Sequence, residues 1–236
     1  MALSSRRHLL IGTAAAALAG ALPSVGHARG PMAFTVTIRN IADDMTLKLP
    51  DGRTTNAPIA PGVYAVSKAA NVLFTPGGMA DEALERLAED GNFQPMLDKV
   101  MALEGLAAAG MFLPGQPFTF TASPGDHLQF ATMFVQSNDL FFAPKAGGIA
   151  LFDIGGRAAH GKVTGQVALY DAGTEVNQPP GAGPDQAPRQ PKPDTGKAER
   201  APIEIVASRH DGFTYPAVDA VVEVEIVPVA PSQPQG

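Results

Sequence analysis

Between Phe34 and Val227 the chain is cut into short apolar runs by glycine and proline. That punctuation leaves little room for long helices and favours short strands joined by turns. FTVTIRNI, residues 34–41, alternates apolar with polar side chains and predicts a strand with one buried face. APGVYAVS, PFTFTAS, DHLQFATMFVQS, GIALFD, KVTGQVALYDAG, PIEIVAS and AVVEVEIVPV predict further strands. A Ser-Pro-Gly-Asp turn at 123–126 joins two of them. One stretch differs. In MADEALERLAEDG, Ala80, Ala83, Leu84, Leu87 and Ala88 recur at helical spacing, Glu82 can pair with Arg86, and Gly91 can close the helix. Asn92 then predicts the cap of a second short helix through Met96, Leu97, Val100 and Met101. Residues 177–202 hold seven prolines and no apolar period, which predicts a long irregular loop. The tail 228–236 is expected to be loose. The expected architecture is mainly β: an antiparallel sandwich with a short helical insertion.

The chain opens with MALSSRRHLLIGTAAAALAGALPSVGHARG. Arg6 and Arg7 form a charged start, Leu9 to Leu22 an apolar run, and Gly26-His27-Ala28 a small-residue cleavage site. Residues 1–28 therefore read as an export signal. SRRHLL matches a twin-arginine signal, which exports folded protein; an ordinary signal that carries two arginines is the alternative. The expected location is periplasmic or secreted. Residues 29–236 suit one domain able to bury its own core.

The chain has no cysteine, so packing, or packing with a metal, must replace disulfides. The whole chain has 17 basic and 23 acidic side chains. Removing the leader removes two arginines and no acids, so the net charge falls from −6 to −8 with histidine neutral. An acidic surface argues against nucleic acid and is compatible with cations. No stretch is apolar for the roughly 20 residues that a membrane span needs.

Several catalytic signatures are missing. There is no Gly-x-Ser-x-Gly elbow, no His-Glu-x-x-His and no phosphate-binding loop. A blue-copper site needs cysteine. His127, His160 and His210 lack the spacing of zinc ligands. Asp126-His127 reads as a solvated pair at a turn, and Asp43-Asp44 and Asp81-Glu82 as turn and helix-start acids. The acids at 139, 153, 171 and 175 are different, because each stands at or beside a strand end. Brought to one edge of a sandwich they would repel, and a hard cation would relieve the cost. Calcium suits irregular loops because it accepts six to eight oxygens in flexible geometry. Four independent solvated acids remain the alternative.

MFVQSNDLFFAP, GIALFD, VTGQVALYDAGTEVNQPPGAGPDQAPRQ and API, in that order, resemble the spondin domain in a bacterial secreted form. The animal members are the N-terminal domains of F-spondin and mindin, whose matching stretches run Ser-Pro-Asp-Trp-Phe and Asp-Ala-Gly-Thr-Asp. The resemblance covers roughly Phe34 to Val227, and DAGTE with its spacing from SND is its specific part. It implies a C2-like β-sandwich with one calcium ion held at an edge by loop acids. By position those acids are Asp139, Asp171 and Glu175. Glu175 stands where the animal members have Asp, and Asn138-Asp139-Leu140 replaces Pro-Asp-Trp. Asp153 has no counterpart. The resemblance makes the turn from Asp171 to Glu175 a cation clamp, with the proline-rich loop and Arg189 pinned nearby. It implies a non-enzymatic module for recognition or adhesion, its partner a protein or glycan outside the cytoplasm. The alternatives are a metal-dependent hydrolase that uses the carboxylates, and membrane association, against which the lack of a basic patch argues.

Overall fold

The computed structural model describes residues 30–145 and 147–229. The expected export signal, residues 1–28, and residues 230–236 of the expected tail lie outside these. The strands in chain order are β1 (Met32–Asn40), β2 (Leu47–Lys48), β3 (Thr54–Thr55), β4 (Gly62–Ser67), β5 (Ala108–Phe112), β6 (Phe118–Ala122) and β7 (His127–Met133). They continue with β8 (Leu140–Pro144), β9 (Ile149–Ala150), β10 (Gly161–Lys162), β11 (Val167–Asp171), β12 (Glu204–Ile205) and β13 (Val222–Val229). The helices are α1 (Glu82–Asp90), α2 (Gln94–Met101) and the short α3 (Val218–Val221).

Two antiparallel sheets face each other, as the alternation predicts. One is four-stranded in the order β10-β13-β1-β6; the other runs β12-β11-β8-β7-β4-β5, with β9 paired to β7. Phe34, Val36 and Ile38 of β1 and Val222, Val224 and Ile226 of β13 bury fully against Tyr64, Phe130, Phe142 and Leu169 of the larger sheet. On the opposite face of β1, Arg39 bridges Glu223 at 2.6 Å and Glu225 at 3.0 Å across the ladder.

The larger sheet is covered on both faces, so its strands read as continuous apolar runs rather than alternating ones. Its outer face, with Val63, Ala65, Phe141, Ala143 and Tyr170, packs against Leu84, Leu87, Ala88, Met96 and Val100 of α1 and α2. Asp81 caps α1 by accepting from Leu84 N at 3.0 Å, and Gly91 ends it at φ 67°, a left-handed conformation that glycine adopts without a Cβ penalty. The expected Glu82–Arg86 pair does not form. Arg86 reaches Asp90 at 3.5 Å and Asp194 at 3.9 Å instead. The cap of α2 is Phe93 rather than Asn92, which accepts from Gln94 N at 3.2 Å from outside the helix.

Three expected strands are shorter than their sequence pattern. KVTGQVALYDAG is two strands, because a 3-10 turn at Thr164–Gln166 carries the chain from β10 in one sheet to β11 in the other. GIALFD pairs only at Ile149 and Ala150, and PIEIVAS turns into a 3-10 segment at Val206–Ser208. The β2–β3 hairpin and β5 carried no recognisable pattern. At the other end, Pro228 and Val229, expected to be loose, complete β13 opposite Phe34 and Ala33.

Candidate functional site

The site forms where β8 begins and β11 ends. Asp171 pairs with Leu140 in the ladder, and Ala172 N donates to Asp139 O at 3.1 Å one step beyond it. The two acids therefore meet at one corner of the sheet. The turn that follows folds back on them. Asp139 Oδ2 accepts from Thr174 N at 2.8 Å, Glu175 N at 3.1 Å and Thr174 Oγ1 at 3.2 Å. Asp171 Oδ1 accepts from Gly173 N at 2.7 Å. The run Asp-Ala-Gly-Thr-Glu thus places backbone N–H groups on two buried carboxylates, which is why short acids and a glycine occupy it.

The structure then separates the acids into two settings. Asp171 is fully buried and is clasped by Arg209, Nε to Oδ2 at 2.7 Å and Nη2 to Oδ1 at 2.6 Å. Asn177 Nδ2 adds a bond to Oδ2 at 2.6 Å. With Gly173 this makes four donors on two oxygens, the full capacity of a carboxylate. Arg209 also meets Glu199 at 2.8 Å and Glu204 at 3.4 Å, and the hydrogen bonds to Asp171 make the Arg209 guanidinium hold its proton more firmly than usual. Asp171 is thus saturated without an ion. Close by, Asn177 Nδ2 reaches Asp211 Oδ2 at 3.3 Å, and Tyr215 donates to that oxygen at 2.5 Å.

The second setting has no such compensation. Glu89, Glu175 and Asp194 each present an oxygen within 4.8 Å of the others. Glu89 and Glu175 are buried and Asp194 is exposed, so the group has one open side. Glu89 lies in the last turn of α1, where the helix dipole is negative, and no basic residue stands in that turn. Its Oε2 has no hydrogen-bond partner, and neither has Asp139 Oδ1, although both are buried. Burial pushes Glu89 up to about 8; a hydrogen bond with Thr174 opposes the shift, and Glu175, Glu85 and Asp139 add to it. Burial, then the charge of Asp171, also raises Asp139 despite its three donors. Glu175 is raised by burial and by Asp185 and Asp194, against the bonds from Asn138 Nδ2 at 3.1 Å and Gly196 N at 2.8 Å. Arg86, at 3.9 Å from Asp194, is the cation nearest the trio in the ion-pair network.

Of the residues that the spondin resemblance places at an ion, Glu175 belongs to the trio. Asp139 touches its edge through Thr174, and Asp171 faces Arg209. Glu89 and Asp194 were missed. Glu89 looks like one more acid on an amphipathic helix, and with Arg86 three residues before it nothing in the sequence marks it out. Arg189 fixes the loop to Gln136 Oε1 at 2.9 Å and to Gly183 O at 2.8 Å, not to the carboxylates. Asp153 is spent in its own turn, accepting from Gly155 N at 2.8 Å and Arg157 Nε at 2.7 Å. Asp126 is buried rather than solvated, because its side chain accepts from Ser123 N at 2.7 Å and closes the turn. Among the described residues no histidine joins a group of three metal-ligating side chains. Nor is any helix among them long and apolar enough to cross a membrane.

No protein-family model matches the chain, and no curated protein matches it.

Proposed function

We propose that the chain is an exported, non-enzymatic module that binds one calcium ion and recognises a protein or glycan outside the cytoplasm. The observation that carries the ion is the unpartnered Oε2 of buried Glu89 inside a trio of carboxylates. A buried charged oxygen without a partner costs about 1–3 kcal/mol or more, and a cation would turn that cost into an attraction. The donor set is all oxygen, which suits a hard cation. Glu175, Glu89 and Asp194 are the ligands in this reading. Asp139, with its free Oδ1, lies beside them, and Asp171 with Arg209 braces the turn. When bound, the ion supplies charge neutralisation, and every other role falls to the chain. Asp171 and Glu175 already accept bonds from the turn and the loop, a holding role rather than a reactive one.

The leader-like N-terminal stretch supports an exported setting, and the acidic balance is compatible with a cation. Calorimetric titration of the mature protein with calcium, and with magnesium as comparison, tests the ion. Binding that is lost in Glu175→Gln is expected. No heat of binding, together with equal melting in calcium and chelator, would overturn the reading. Mass spectrometry of the exported protein tests the leader, with a start near Arg29 expected and an intact Met1 against it.

A further inference from the structure

The loop 177–202 crosses the mouth of this site and is tied to the sandwich at several points. Gly181 N donates to Gln136 O at 2.9 Å, Gln178 N to Asn138 Oδ1 at 3.0 Å, and Gln190 Nε2 to Asp90 Oδ1 at 3.0 Å. Gln186, within the loop, is fully buried. The last tie is different in kind. Gly196 lies so close to Glu175 that a Cβ there would stand 2.0 Å from Oε2 and 2.2 Å from Cδ. A side chain here would push the Glu175 carboxylate aside, whereas glycine leaves it in place. This tie brings Asp194, two residues earlier, to the trio.

We infer that the loop is a clasp shut by a divalent cation: Glu89 and Glu175 hold the ion from the sandwich, and Asp194 completes the site only when the loop is closed. The inference rests on the cation site proposed above and adds its regulation. Without an ion, three carboxylates face one another and Asp194, exposed, can leave at little cost. Arg86 at 3.9 Å offers only a weak, largely solvated attraction. With an ion, the same three groups are drawn together. Since the ion prefers the closed loop, its binding and the closure must favour each other equally. If the open form does not bind, calcium about a hundredfold above its dissociation constant favours closure about a hundredfold more.

Lysine-specific proteolysis reads the clasp directly, because Lys197–Ala198 lies on it and both residues are exposed. A protease that needs no calcium is used on the mature chain, in calcium and in chelator, with the cut followed by mass. In the wild type calcium should slow this cut about tenfold or more, within the limit that mass action sets. Asp194→Asn should lose most of that protection. Gly196→Ala keeps all three acids in the chain but pushes the Glu175 carboxylate away from the loop, so its loop should be cut rapidly in either solution and its calcium affinity should fall. Calcium bound in the titration with no change in cleavage overturns the clasp and leaves the cation site standing. Absence of calcium binding removes both.

Discussion

Arg209 and Asp171 meet end to end: two guanidinium nitrogens on two carboxylate oxygens, at 2.7 Å and 2.6 Å, with Asp171 fully buried. Thirty-eight residues separate them in the chain. The positive charge at Asp171 is thus supplied from far along the chain. The neighbouring trio has only Arg86, 3.9 Å from Asp194.

Removing Arg209 strands a buried carboxylate. Arg209→Gln should therefore destabilise the fold by about 3–5 kcal/mol in denaturant melts, the usual penalty for breaking a buried pair from one side. Adding Asp171→Asn should recover part of the loss. A cost below ~0.5 kcal/mol for the single variant would show the pair to be dispensable.

Glu89 should change sign with calcium. In chelator above pH 8, where Glu89 is ionised, Glu89→Gln removes a repelled, unpartnered charge and should raise the melting temperature above wild type. In calcium at about a hundred times the dissociation constant, the wild type should gain about 2.7 kcal/mol, and the variant should lose most of that gain. A variant that responds to calcium as the wild type does would move the ion away from Glu89.

The same burial fixes a pH trend. Glu89 titrates at about 8 in the folded chain, and Asp139 also lies above the ordinary carboxylate range. A raised folded pKa means that the native state holds its proton more tightly than the unfolded chain does. The stability it contributes is full below the ordinary carboxylate pKa and is lost as pH rises through the folded value. In chelator, melting temperature should fall between about pH 4.5 and pH 8, the interval that burial of Glu89 opens. Calcium should flatten the slope, and so should Glu89→Gln. A chelator profile that rises across this interval would contradict the assignment.

The helical cover should carry real stability. Leu87 is fully buried against the outer face of the larger sheet, and Leu87→Ala should cost about 2–5 kcal/mol. A loss under ~0.5 kcal/mol would make the cover peripheral.

Local patterns carried most of the architecture. The alternation of Phe34, Val36 and Ile38, the spacing of Leu84, Leu87 and Ala88, and Gly91 as a stop are all set by neighbours in sequence, and each appears in the fold. The pleat does not reveal where a strand leaves its sheet, so the split of KVTGQVALYDAG at Thr164 was invisible. At the site, Asp139, Asp171 and Glu175 stood out because they end apolar runs or share one turn. Arg209 and Asp194 did not, because what defines them is a partner far along the chain. Asp194 sits in KPDTG, in a proline-rich stretch with no period to read, and only closure of the loop gives it a role.

The place of β1 governs how this molecule can be made. The first strand lies inside its sheet, between β6 and the last strand, with Ala33 opposite Val229. A ribosome delivers Phe34, Val36 and Ile38 well before Val224 and Ile226. Until then β1 has an open edge able to pair with a neighbouring chain, a known aggregation hazard. Contacts this distant in sequence also slow the search for the native state. The smaller sheet therefore cannot close until β13 has been made.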